Sequence, residues 1–127
     1  MNLGMHRIWG SCVGKKDPVQ SFEPGRVMLG VATAQFRLER WLRVRGVERL
    51  VIVGVSTNHS VEASARTAGQ LGFGVQVVAD ATFAFARPDH AGTPRSAEDV
   101  HLMALANLHG EYATVVATAA LLTTLTA

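Results

Sequence analysis

The chain has little of several residue types that mark whole classes of protein. Its 127 residues contain one cysteine, Cys12, which excludes an internal disulfide and any metal site built from several cysteines. A single thiol is typical of a protein from a reducing compartment. No apolar run approaches the ~20 residues that span a bilayer, and the first ten residues lack the apolar core of a signal peptide. The sequence therefore predicts a cytoplasmic protein without a membrane partner.

Charge is also scarce and dispersed. Charged residues make up 17% of the chain, and the formal net charge is +2. The arginines between residues 37 and 49 are scattered, as on a solvated helix face, so we predict no nucleic-acid partner. No histidine pair has the spacing and supporting carboxylate of a zinc site, and neither GxGxxG nor GxxxxGK[ST] occurs. We predict no metal and no cofactor.

From residue 47 onward, apolar runs alternate with helical patterns. Three buried strands are predicted, at residues 50–55, 74–81 and 112–118. Helices are predicted at residues 61–71 and 97–108, and a short one at the C-terminal end. Gly72 fits the end of the first helix, and Ser96 with Asp99 forms a capping box at the start of the second. This alternation predicts a three-layer α/β/α, Rossmann-like domain with a parallel sheet.

The first 46 residues lack this alternation. Residues 35–46 have the pattern of a helix and residues 26–32 that of a short strand, but no strong hydrophobic strand is found before residue 26. Because three-layer α/β domains generally start with such a strand, we predict that the first strand is missing or degraded. The single domain is accordingly divided into a divergent N-terminal segment, residues 1–46, and an α/β core, residues 47–127.

The stretch "GVSTNHS", residues 54–60, joins a predicted strand to a predicted helix. In parallel sheets, ligands bind outside the carboxyl ends of the strands. Backbone N–H groups at the start of a helix favour a carboxylate, a phosphate or a developing oxyanion, and Ser60 occupies the position suited to a nucleophile. Alternatively, Thr57, Asn58 and Ser60 only cap the helix; the spacing leaves both interpretations open. His59 is a poor base for Ser60 because neighbouring residues in a turn usually point in different directions.

Other candidates lie further along the chain. Asp80, at the end of the second predicted strand, has either a structural or a site role. Phe83 and Phe85 either line a pocket or belong to the core. His101 and His109 are predicted at the surface or an interface. The helix at 97–108 has more apolar residues than one buried face requires, namely Leu102, Met103, Leu105 and Leu108.

Two stretches, "RGVERLVIVGVSTNHSVEASARTAGQLGFGVQVVADATFAF" and "GTPRSAEDVHLMALANLHGEYATVVATAALL", resemble the isochorismatase-like cysteine hydrolases, which include the nicotinamidases. The resemblance covers residues 45–122, about 60% of the chain. It implies a three-layer α/β fold, hydrolysis of an amide or related C–N bond in a small molecule, and a homodimer or larger homo-oligomer. It also implies a cis peptide before Ser56 and an oxyanion hole formed by the backbone amides of Ser56 and Ser60.

The same resemblance leaves the catalytic triad of the family incomplete. The nucleophilic cysteine is replaced by Ser60, the aspartate belongs to the first strand, and the lysine is expected near residues 27–31, which read "VMLGV". An alkoxide is harder to generate than a thiolate. Three hypotheses follow: a hydrolase with little or no activity, an active hydrolase with Ser60 as nucleophile, and a non-catalytic oligomerisation or interaction module.

Overall fold

A parallel sheet lies at the centre of the computed structural model, which describes residues 6–11 and 30–126. Its four strands, in spatial order, are β1 (His6–Ser11), β2 (Arg49–Val55), β3 (Gly74–Phe83) and β6 (Thr114–Val116). The helices are α1 (Gly30–Val44), α2 (Glu62–Gln70), α3 (Ala97–Leu108) and α4 (Thr118–Thr126). A π-helical turn, Thr57–Val61, precedes α2, and an antiparallel pair, β4 (Arg87–Pro88) and β5 (Pro94–Arg95), lies between β3 and α3.

The aliphatic run of β2 is buried between helices on both faces of the sheet. Leu50 and Ile52 belong to a large core cluster to which α1, α2 and α3 contribute. Val51, which points to the opposite face, packs in a smaller cluster with Val78 of β3 and Leu121 of α4. The two clusters give the three layers that the sequence predicts. None of the described helices is long and apolar enough to cross a membrane.

Small residues let α2 lie close to its neighbours. Ala65 and Ala68 are buried, and a Cβ atom added at Gly69 would collide with the backbone carbonyl of Tyr112. Gly72 follows with a φ of +85°, a left-handed conformation that ends the helix as predicted. The predicted capping box of α3 is also confirmed: the Ser96 side chain accepts from the Asp99 N–H, and the Asp99 carboxylate accepts from the Ser96 N–H.

The N-terminal part of the sheet contains a strand that the sequence pattern does not reveal. No strong hydrophobic strand was expected before residue 26, and β1 there pairs in parallel with β2, from His6 opposite Leu50 to Ser11 opposite Val55. The segment "HRIWGS" has too short an apolar run to be recognised by its pattern, and it is backbone pairing with β2 that makes it a strand. The strand predicted at residues 26–32 is wrong for residues 30–32, which begin α1, and residues 26–29 lie outside the described part.

Candidate functional site

The turn after β2 has an unusual backbone. The Val55–Ser56 peptide bond is cis, as the resemblance implies. The Ser56 carbonyl then accepts two backbone hydrogen bonds, from the N–H of His59 at 3.1 Å and from the N–H of Val61 at 3.3 Å. The second of these has the five-residue spacing of a π-helix. Strand, turn and helix therefore follow each other as the sequence predicts, with Ser60 in the last part of the turn.

Ser60 has a hydroxyl group that is directed at the backbone. Its Oγ donates to the carbonyl oxygen of Val55 at 3.3 Å, and the residue is partly exposed. Within the described part of the chain, no carboxylate, amine or imidazole forms a hydrogen bond with this hydroxyl. A peptide carbonyl does not take up a proton at neutral pH, so the contact orients the hydroxyl without activating it.

Thr57 is held by a histidine from a distant helix. The threonine is fully buried, and its Oγ1 lies 2.9 Å from Nδ1 of His101 in α3. His101 is partly buried and contacts the turn. The sequence predicts His101 at the surface or an interface. The only sequence signal that His101 faces the interior is its position four residues before the buried Leu105, which puts both side chains on one side of α3.

His59 is exposed and paired with an arginine that no sequence pattern singles out. Arg87 Nη1 lies 2.9 Å from His59 Nε2. Because a guanidinium can only donate, Nε2 is the acceptor, and a neutral ring carries its hydrogen on Nδ1. Next to it, the Ser56 hydroxyl donates to the side-chain oxygen of Asn58. The polar side chains of this turn are thus largely satisfied by each other and by Arg87.

Asp80, in β3, contacts the first residue of α4. Its Oδ1 accepts from both the N–H and the Oγ1 of Thr118, each at 2.8 Å, at the first residue of that helix. These hydrogen bonds hold the pKa of Asp80 below its ordinary value of 3.8, and the bond from the Thr118 backbone N–H has the larger effect. Of the two roles that the sequence left open, the geometry supports the structural one.

The two aromatic candidates lie at the surface beside the turn. Phe83 is 58% exposed and Phe85 is 68% exposed, so neither belongs to the core. Phe83 pairs in register with Val55, the residue whose carbonyl accepts from Ser60. The Phe83 ring is therefore exposed at the carboxyl edge of the sheet, and Phe85 follows it two residues along the chain.

The other aspartates of this region also hold structural hydrogen bonds. Asp89 accepts from Nε and Nη2 of Arg95, at 3.0 and 2.7 Å, and Asp99 caps α3 through Ser96. The Arg95 side chain is the main reason why the pKa of Asp89 lies below its ordinary value, and the Ser96 hydroxyl has the same effect on Asp99. Among the described residues, no three His, Cys, Asp or Glu side chains gather in a group able to hold a metal ion.

Fold and turn together define a class: three-layer α/β domains whose second strand leads through a cis peptide into a helix at the carboxyl edge of a parallel sheet. The isochorismatase domain model matches residues 31–120, well over half of the chain. The chain therefore belongs to the isochorismatase family.

Relatives and solved structures agree with this assignment. The isochorismatase family protein YrdC of Bacillus subtilis is 38% identical over 81 residues, which are 64% of this chain and 43% of that protein. A structure of an isochorismatase-family protein from Chromobacterium violaceum superposes with a TM-score of 0.69 at 49% identity, covering 70% of this chain and 46% of that one.

A second similar structure is described as a cysteine hydrolase, from Pseudomonas syringae pv. phaseolicola. It has 30% identity and a TM-score of 0.62, with 66% of this chain and 39% of that one covered. The chain thus spans less than half the length of each of these three proteins.

Proposed function

We propose that this chain derives from C–N bond hydrolases, keeps a small-molecule site at the turn Ser56–Ser60, and turns over amides weakly or not at all. Family membership and the similarity to a structure described as a cysteine hydrolase support the reaction class. In that class, a nucleophile attacks the amide carbonyl carbon, the amine leaves, and water then hydrolyses the acyl-enzyme. Ser60 stands where the family resemblance puts the nucleophilic cysteine.

The hydrogen bond from Ser60 to Val55 carries this proposal. To attack an amide, the hydroxyl must transfer its proton to a base, and the carbonyl that accepts it cannot serve as one. Nearby imidazoles are engaged elsewhere, His59 with Arg87 and His101 with Thr57.

The aspartates of this region are weak bases for the same task. Hydrogen bonds to the carboxylates of Asp80, Asp89 and Asp99 favour their charged form and lower their pKa. A carboxylate with a lowered pKa has less tendency to accept a proton from an alcohol. Within the described residues, Ser60 thus lacks the partner that a serine nucleophile needs.

Ammonia release from a panel of primary amides that includes nicotinamide tests the proposal. We expect the native chain and Ser60→Ala to differ by less than about tenfold, because positioned acid–base catalysis contributes about 10²–10⁴-fold where it exists. A Ser60-dependent rate more than about 100-fold above that of Ser60→Ala would instead support an active serine hydrolase.

Ser60→Cys distinguishes a lost nucleophile from a lost site. A thiol ionises far more readily than a hydroxyl, so a surviving base and cation would give this variant a measurable amide turnover. We expect none above the level of Ser64→Cys, a control that introduces a thiol four residues further along the chain. Restored turnover in Ser60→Cys alone would contradict the proposal.

A second candidate function is self-association. Leu102 and Met103, adjacent on α3, are 54% and 63% exposed, although both are large apolar residues. Burial of this pair against a second copy would remove apolar surface from water. This supports the interpretation of the chain as an oligomerisation module derived from the isochorismatase fold.

A further inference from the structure

Arg87 is a cation that has no carboxylate partner in the described part of the chain. Its guanidinium contacts His59, and the ion pairs among the described residues use Arg43, Arg66 and Arg95 instead. Asp89, two residues along the chain, is held by Arg95 through two hydrogen bonds. The charge of Arg87 is therefore not neutralised by Asp89.

The contact with His59 anchors this charge at the candidate site. Because His59 directly precedes Ser60, its ring connects the guanidinium to the turn that carries the hydroxyl. One N–H group of the guanidinium is used in this contact, and a guanidinium has five. The remaining donors have the planar arrangement that matches the two oxygens of a carboxylate.

Exposed aromatic surface lies on the same segment of chain. Phe83, at the end of β3, is in register with Val55, and Phe85 lies midway between Phe83 and Arg87. Large exposed aromatic residues are often ligand contacts. A cation without a carboxylate partner, two residues along the chain from an exposed aromatic ring, fits a ligand with one anionic group and an uncharged body.

We propose that Arg87 binds a carboxylate group of the ligand, so that the site selects carboxylate-bearing amides over neutral amides. The amide part of this inference rests on the proposed function. The carboxylate part rests on the contact of Arg87 with His59, the residue that directly precedes Ser60. In it, the guanidinium donates two parallel hydrogen bonds to the carboxylate while His59 continues to hold a third N–H. Arg87 is a specificity residue and takes no part in bond breaking.

Direct binding measurements test the inference without turnover. Succinamate, which has a carboxylate and a primary amide, and its neutral counterpart succinamide are titrated calorimetrically into the full chain carrying Ser60→Ala. We expect succinamate to bind at least about tenfold more tightly, since charge-assisted bidentate pairs are among the strong hydrogen bonds. Arg87→Gln on the same background should remove the preference, and Arg87→Lys should keep part of it.

Arg49→Gln is the matched control. It removes one positive charge from an exposed residue at the amino end of β2, the opposite edge of the sheet, and should leave the preference unchanged. Equal affinities for the two probes, no succinamate binding up to about 10 mM, or a preference that persists in Arg87→Gln would each overturn the inference. Ammonia release from succinamate by the native chain is a separate readout: Ser60-dependent turnover would contradict the weak activity proposed above and leave the carboxylate preference standing.

Discussion

The hydroxyl groups of Thr57 and Ser60 lie three residues apart in one turn and have opposite surroundings. Thr57 is fully buried and meets His101, whereas Ser60 is partly exposed and meets a backbone carbonyl. A buried hydroxyl without a partner is costly, so the Thr57 contact with His101 contributes to the stability of the fold. It links the turn to α3, while the Ser60 hydroxyl can exchange its partner for a ligand.

Thr57→Val should destabilise the chain because it removes this link at nearly constant volume. Nδ1 of His101 would then face a methyl group, and we expect a loss of about 1 kcal/mol in the free energy of unfolding. Urea unfolding followed by circular dichroism measures it. Thr124→Val is the control, since the Thr124 hydroxyl is exposed on α4 and bonds to the Ala120 carbonyl. Equal losses in both variants would contradict a specific role for the Thr57–His101 contact.

The residues of the turn could be predicted from the sequence, but their partners could not. Ser60 and its neighbours follow an aliphatic run and precede a helix of small residues, an order that local pattern detects. His101 and Arg87 reach the turn from 44 residues beyond Thr57 and 28 residues beyond His59. Such contacts depend on how α3 and the β4–β5 segment pack against the turn, and no periodicity in the sequence predicts that packing.

Among the elements, β3 has an irregularity that redirects its carboxyl end. Its register with β2 shifts from Val77 opposite Ile52 to Thr82 opposite Gly54. The Thr82 hydroxyl, itself buried, donates to the Val78 carbonyl at 3.1 Å within the shifted segment. Asp80 lies inside this bulge, where its carboxylate reaches Thr118 of α4. Bulges of this kind redirect side chains, and the sequence "VVADATF" gives no sign of one.

Asp80→Asn should lower the free energy of unfolding at neutral pH and make that free energy less dependent on pH in the acid range. The folded-state pKa of Asp80 is lowered, so its contribution to stability is fully present above the ordinary value of 3.8 and is lost as pH falls through the folded value. Urea midpoints measured between about pH 3 and pH 7 should therefore fall less steeply in the variant than in the native chain.

Glu111→Gln provides the control for this measurement, because Glu111 is an exposed carboxylate in the turn before β6. It should reproduce the pH dependence of the native chain. If Asp80→Asn and the native chain instead lost stability in parallel across the acid range, the hydrogen bonds to Thr118 would not be a source of acid sensitivity.

Elements with strong local signals match their sequence-based predictions, and those that depend on pairing do not. The aliphatic run of β2 and the capping box of α3 are local, and both elements begin within one residue of the predicted position. The third predicted strand, residues 112–118, shortens to Thr114–Val116 because Tyr112 lies in a turn. In β1, pairing with β2 outweighs a weak apolar pattern.

At the scale of the whole molecule, α3 has one face in the core and one exposed. Leu105 and Leu108 are buried, as expected for the inner face, while Leu102 and Met103 remain exposed. Large apolar residues exposed on a helix are typical of an interface between protein chains. Self-association of the native chain would explain why α3 has more apolar residues than its packing on the sheet requires.

The double variant Leu102→Glu, Met103→Glu tests self-association. We expect the native chain to be a dimer or larger species at micromolar concentration by multi-angle light scattering, and the double variant to be a monomer. Two adjacent carboxylates at an apolar contact are costly to bury, and in a symmetric dimer they would face their counterparts. Val44→Glu, which places one acid at an exposed apolar position on α1, should leave the native mass unchanged. A native chain that is already monomeric, or a double variant that keeps the native mass, would remove α3 as the site of self-association.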